Sequence, residues 1–141
     1  AEEVKIFNPK DDFFVRAEGT KAKLAKRCPE CSVTVEDLDD KEKLAEAVNS
    51  CDIVINATIM GMEPYDDVSL IDKSLYRKDL VVADTVYSPE KTKMILEAEE
   101  AGCKAVGGKG MLEQQGAVNY ELFVGKKMPL KEYQRFQEEN K

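Results

Sequence analysis

The chain has 141 residues, 43% hydrophobic and 35% charged, which suits one domain or a part of one and excludes a disordered polypeptide. The balance of 21 basic against 28 acidic residues leaves a net charge of −7, so neither nucleic acid nor an anionic membrane is expected as a partner. No apolar run reaches the roughly 18–20 residues of a membrane span, and Ala1-Glu2-Glu3-Val4-Lys5 lacks the layout of a signal peptide.

In chain order, Val4-Lys5-Ile6-Phe7 reads as a short strand. Asp12 to Arg27 reads as a helix whose inner face would carry Phe13, Ala17, Leu24 and Ala25. Ser32-Val33-Thr34-Val35 is a second strand, and Asp39 or Asp40 can cap a helix over Lys41–Val48. Asp52-Ile53-Val54-Ile55-Asn56-Ala57-Thr58 is an almost unbroken apolar run, the pattern of a strand covered on both faces. An irregular stretch from Gly61 to Tyr76, with one helical turn expected near Ser69, leads to a fourth strand at Leu80–Tyr87. Ser88-Pro89 has the chemistry of a helix start, Ser at the cap and Pro at the first position, and Gly102 would end that helix. Lys104-Ala105-Val106 is a fifth strand and Gly107–Gly110 a flexible loop. Helices from Met111 to about Val124 and from Pro129 to Glu139 follow. Alternating strands and helices predict an α/β fold, a partial Rossmann-type, doubly wound parallel sheet with helices on both faces.

Histidine is absent, which removes histidine-based catalytic triads and metal sites. Cys28-Pro29-Glu30-Cys31 is a CxxC without the second CxxC that a zinc ribbon needs. It follows a helical stretch instead of opening one, so it reads as a helix-to-strand turn and no metal is expected. Reduced thiols fit a cytoplasmic compartment.

In doubly wound sheets ligands lie beyond the carboxyl ends of the strands. Those ends are Asn8-Pro9-Lys10-Asp11, Ala57–Gly61, Thr85-Val86-Tyr87-Ser88 and Gly107–Gly110. Small, polar and glycine residues there let a backbone approach a ligand, although turns carry the same residues for their own reasons. Neither a G-x-G-x-x-G nor a P-loop is present.

Asp52–Thr58 followed by Gly61-Met62 and Pro64 resembles the "INAT-x-x-GM-x-P" segment of the shikimate and quinate/shikimate dehydrogenases. Asp84-Thr85-Val86-Tyr87-Ser88-Pro89 resembles their "D-x-VY-N/S-P". Gly110–Ala117 resembles "GML-x-x-QGA", and Ala101-Gly102-Cys103 ends in the "GC" of their "A-x-GC". Order and spacing agree from Val4 to about Lys127, and Phe7–Phe14 is most similar to the quinate/shikimate branch.

The resemblance implies that residues 1–127 are the later part of an NAD(P)-binding domain, with 128–141 as its terminal amphipathic helix. It implies that the chain opens at that domain's second strand, without the glycine-rich loop or the substrate domain that carries the catalytic Lys and Asp. No catalytic residue is therefore expected here, and the 141 residues alone are expected to be inactive and to bind little NAD. The whole enzyme would move a hydride between the nicotinamide and shikimate or quinate, small polyhydroxy acids, in aromatic amino acid biosynthesis.

By the same resemblance the cofactor would lie along Asn8, Pro9, Lys10, Asp11, Thr58, Ile59, Thr85, Val86, Tyr87, Ser88, Gly108 and Met111. Asp11 would accept from the adenosine ribose hydroxyls and repel a 2′-phosphate. Two charges about 4 Å apart at an effective dielectric of about 20 interact by about 4 kcal/mol before screening. Lys10 and Arg16 lie near enough in sequence to soften this. The NADP-preferring branch carries "NRT-x-x-R" here, where this chain has Pro9 and Asp11, so NAD is expected over NADP. Asp11 or Asp12 could equally cap the following helix. The Gly108 carbonyl would accept from the nicotinamide carboxamide, and Met111 would pack on the ring. Tyr87 and Gln115 would face the substrate, Gln115 both donating and accepting. Read from the residues alone, Gln115 is a surface helix residue.

The alternative is an isolated cofactor-domain module with a binding or structural role and no activity alone. A sheet without its first strand leaves an edge uncovered, so association between copies is open to it.

Overall fold

The computed structural model describes residues 1–140, which fall into two compact units, Ala1–Cys51 and the residues from Asp52 onward. In the first, β1 (Glu3–Asn8) and β2 (Ser32–Asp37) pair in parallel, Glu3 opposite Ser32 and Asn8 opposite Asp37. The crossover between them is α1 (Phe14–Arg27), which packs on both strands, and α2 (Lys41–Ser50) follows β2.

Ala17, Leu44, Ala47 and Val48 are the buried apolar residues of this unit. The inward stripe of α1 is Phe14, Ala17, Lys21, Leu24 and Cys28, each buried or half-buried. Phe13 and Ala25 are exposed, because each stands one position off that 3.6-residue repeat. Asp40 caps α2, accepting from the Lys43 amide at 3.1 Å. Cys28 and Cys31 form the turn between α1 and β2, the Cys31 amide donating to the Cys28 carbonyl at 3.0 Å.

The second unit has three parallel strands in the order β3 (Ile53–Asn56), β4 (Val81–Asp84), β5 (Lys104–Val106). Three helices belong to it, α3 (Lys93–Glu100), α4 (Lys109–Val124) and α5 (Leu130–Glu139). A single 3₁₀ turn at Lys73–Leu75 lies a few residues beyond the position expected near Ser69. Leu80, Val82, Met94, Ile95 and Ala98 are almost completely buried, so the core lies between α3 and the strands it covers, β4 and β5.

All the paired strands are parallel, as the alternating pattern predicts, β1 with β2 in one unit and β3, β4 and β5 in the other. Two finer expectations are corrected here. First, β3 is covered on one face only. Ile53 and Ile55 are 56% and 62% exposed while Asn56 opposite them is 3% exposed, because β3 is the edge of its sheet and α3 packs on β4 and β5. Last, the helix after β4 does not start at Ser88-Pro89, which is a cis peptide within a loop. Its cap is Thr92, whose hydroxyl oxygen accepts from the Ile95 amide at 3.3 Å.

Candidate functional site

Each unit presents its own polar rim at the carboxyl ends of its strands. In the first, Asn8 closes β1, and its carbonyl accepts from the Leu38 amide just past β2 at 3.1 Å. The Asn8 side chain donates to the Pro9 carbonyl at 2.9 Å. Pro9, Lys10 and Asp11 are exposed.

Asp11 takes part in the turn into α1: its Oδ1 accepts from the Phe13 amide at 2.8 Å and its carbonyl from the Phe14 amide at 3.0 Å. A carboxylate has a second oxygen and further lone pairs, so this turn leaves Asp11 able to accept from a ligand. Both nearby cations have partners. Lys10 Nζ lies 3.4 Å from Asp37 Oδ2, and the Arg16 guanidinium sits 4.5 Å from the centre of the Phe13 ring. A hydrogen bond from the Asp39 amide, then Lys10, holds the Asp37 carboxyl below its ordinary range.

In the second unit a buried polar network joins the ends of β3 and β4. Asn56 and Asp84 are register partners, 3% and 4% exposed. Asn56 Nδ2 donates to Asp84 Oδ1 at 3.1 Å and to the Met60 carbonyl at 2.8 Å. Asn56 Oδ1 accepts from the Thr58 amide at 3.0 Å and the Thr58 hydroxyl at 2.7 Å. The Thr58 hydroxyl oxygen in turn accepts from the Met60 amide at 3.0 Å. Asp84 Oδ1 also accepts from the Val86 amide at 2.9 Å, and Oδ2 from the Thr92 hydroxyl at 2.7 Å.

The Thr58 side chain is thus occupied inside the loop, leaving backbone groups and the exposed Ile59 as what this loop can offer a ligand. Gly61, at φ +95°, packs against Thr92; a Cβ there would lie 3.0 Å from Thr92 Cβ.

Gly108 lies against the end of β4. Its amide donates to the Val86 carbonyl at 3.0 Å, and a Cβ on it would collide with the Thr85 and Val86 backbone. Glycine is needed here for this close approach to the end of β4. Its carbonyl accepts the first helical bond of α4, from the Leu112 amide at 3.0 Å, so any bond to a carboxamide would use the remaining lone pair.

Tyr87, Glu90, Lys109, Leu112, Gly116 and Tyr133 line much of an open cleft of about 490 Å³ within this unit. Lys109 Nζ lies 3.5 Å from Glu90 Oε1 there. Met111 and Gln115 are not among its lining residues. They are exposed, one helical turn apart on α4. Ser88 is exposed in the loop that leads to α3.

So the structure groups Thr85, Val86, Tyr87 and Gly108 around the end of β4, ties Thr58 to that end through Asn56 and Asp84, and leaves Gln115 exposed on α4, outside the lining of the cleft. Asn56, Asp84 and Thr92 are the site residues that sequence reasoning did not single out. A signal was there: Asn56 and Asp84 are polar residues closing apolar runs, and a polar side chain in such a run needs a partner when buried. Among the described residues no group of three His, Cys, Asp or Glu side chains could hold a metal ion, and no helix is long and apolar enough to cross a membrane.

Parallel strands joined by crossover helices, with polar loops at the strand ends, define the Rossmann-type α/β class. Within that class the chain is similar to shikimate and quinate/shikimate dehydrogenases. It is 43% identical over 129 residues to the quinate/shikimate dehydrogenase of Escherichia coli O139:H28 (strain E24377A / ETEC), covering 91% of this chain and 44% of that protein. It is 36% identical to shikimate 5-dehydrogenase from Listeria monocytogenes, solved in complex with shikimate and NAD. That match has a TM-score of 0.88 and covers 96% of this chain and 47% of the other. Quinate dehydrogenase from Corynebacterium glutamicum, solved in complex with NAD, shares the fold at 24% identity and a TM-score of 0.78, covering 93% and 44%. The chain therefore spans a little under half the length of these relatives. No family model matches the chain.

Proposed function

We propose that this chain supplies part of the nicotinamide-cofactor seat of an NAD-dependent shikimate or quinate 3-dehydrogenase. The observation that carries the reading is 43% identity to a quinate/shikimate dehydrogenase along nine-tenths of the chain. The site motifs fall at the carboxyl ends of β1, β3, β4 and β5, where such folds take their ligands.

When bound, the dinucleotide supplies the hydride chemistry between nicotinamide and the substrate carbon. What these residues do is bind and orient. Asp11 accepts from ribose hydroxyls. The loops Thr58–Ile59 and Thr85–Ser88, together with Gly108 and Met111, border the dinucleotide. Tyr87 and Gln115 offer a hydroxyl and an amide to the polyhydroxy acid. This reading assigns no catalytic base to the chain.

NAD is preferred over NADP in this proposal. A 2′-phosphate would meet Asp11 and would have to draw Lys10 from Asp37 and Arg16 from the Phe13 ring. Either withdrawal gives up an existing contact at an exposed site, and the phosphate regains only a solvent-screened one.

The test is steady-state kinetics of the whole polypeptide that the gene encodes, with shikimate and with quinate, each against NAD and NADP. Reduction of NAD at the higher kcat/KM is expected. A higher value with NADP would refute the preference, and no turnover of either acid with either cofactor would refute the dehydrogenase reading.

A further inference from the structure

We propose that Asp84, with Asn56 and Thr92, is a positioning device that holds the loops after β3 and β4 in one shape for the cofactor; this rests on the cofactor reading above. Loops at strand ends ordinarily leave backbone amides and carbonyls to water. Here the loop backbone is held from inside by side chains. The Thr58 amide, the Met60 amide and the Met60 carbonyl bond to Asn56 Oδ1, Thr58 Oγ1 and Asn56 Nδ2. On the β4 side, the Val86 amide bonds to Asp84 Oδ1 and its carbonyl accepts from Gly108. Both peptide groups flanking Val86 are therefore oriented, one by a carboxylate and one by the start of α4.

The Asn56–Asp84 bond couples the two loops, and the Thr92 hydroxyl on Asp84 Oδ2 couples both to the first turn of α3. The carboxylate is central because it alone offers enough acceptor sites for an amide side chain, a backbone amide and a hydroxyl together. Hydrogen bonds to a charged acceptor are about twice as strong as neutral ones. These three partners satisfy a buried carboxylate without any cation among the contacts described. A carboxylate spent only on packing would be replaceable by an apolar residue. This one is used to set backbone geometry on a rim where the dinucleotide would lie, and small displacements of a reacting group cost much in rate.

Thr92→Val keeps the side-chain shape and deletes the hydroxyl, Thr92→Ser keeps the hydroxyl, and Asp84→Asn keeps the shape and removes the charge. Amide hydrogen exchange in this chain is the first readout. Thr92→Val and Asp84→Asn should speed exchange at Thr58, Met60 and Val86 by about tenfold or more, the effect of losing a buried charged hydrogen bond. Amides of β1 and β2 should keep their rates, and Thr92→Ser should stay near the parent. The second readout is kinetic, in the whole polypeptide. Thr92→Val should raise KM for NAD about fivefold or more, leave KM for the polyhydroxy acid unchanged, and be rescued by Thr92→Ser.

Unchanged exchange at the three amides, or faster exchange everywhere alike, overturns the proposal, as does an unchanged KM for NAD. If Thr92→Val does not fold, Asp84→Asn carries both readouts. If the unsubstituted whole polypeptide binds no NAD at all, the cofactor reading falls and the positioning role with it; local exchange effects would then report a purely structural clamp. Parent binding with indifferent variants overturns the positioning role alone.

Discussion

Gly108 is seated so tightly on Thr85 that a methyl group at Gly108 would run into the Thr85 backbone carbonyl. The contact joins the start of α4 to the end of β4, and the Gly108 amide bonds to the next carbonyl, that of Val86. Gly108→Ala should therefore push α4 away from the strand end. Overpacking of this kind costs about 1–3 kcal/mol, read as a fall in Tm of about 2–4 °C per kcal/mol for a chain of this size. An unchanged Tm together with unchanged cofactor kinetics would mean that the strand end is free to yield.

Asp37→Asn should loosen the hold on Lys10 and take one negative charge from the neighbourhood of Asp11. An exposed ion pair is weak and solvent-screened, so kcat/KM with NADP should rise by at most about fivefold while that with NAD changes little. Kinetics of the whole polypeptide with each dinucleotide decide it; an equal rise with both would place the effect elsewhere.

Gln115→Ala should raise KM for the polyhydroxy acid and leave cofactor affinity as it was. Gln115 is exposed on α4 and lies outside the cleft that Tyr87 lines, so the change should not disturb stability, and the two Tm values should coincide. Equal loss of affinity for acid and dinucleotide would contradict the assignment.

The acid side of the stability profile should depend on Asp37 and Asp72. The Asp37 carboxyl is held low by the Asp39 amide and then Lys10, and the Asp72 carboxyl by the Ser74 hydroxyl and amide. A depressed carboxyl favours the folded state when ionised. Its contribution is fully present above the ordinary carboxylate value of about 4 and fades as pH falls through the lowered folded value. Urea midpoints measured from neutral pH downward should drop less steeply in Asp37→Asn and in Asp72→Asn than in the parent. Parallel curves would show that neither group is linked to folding.

Much of this molecule was legible because its apolar runs are short and its helices well punctuated. β5 falls at Lys104–Val106 as read, and Asp40 caps α2 as its position before the leucine-alanine stripe suggests. β4 is shorter than its apolar run suggests, for a physical reason. Leu80 to Tyr87 is apolar and β-prone throughout, but the Asp84 side chain captures the Val86 amide and the regular ladder stops at Asp84 itself. The same carboxylate engages Thr92, which moves the start of α3 four residues beyond Ser88. In both cases a bond to the Asp84 side chain, from two and from eight residues further on, overrode local propensity, and such bonds leave no periodic trace. Asn8, Asp11, Thr58, Thr85 and Gly108 were found as motif positions, yet what fixes the loops after β3 and β4 is the trio of Asn56, Asp84 and Thr92.

The bare flank of β3 bears on how these 141 residues behave when they are prepared on their own. Two isoleucines half open to water beside a strand edge form a sticky seam, and no lysine or proline within Ile53–Asn56 guards it. Concentrated samples should cluster through that seam, and Ile55→Lys should keep them dispersed in sedimentation runs.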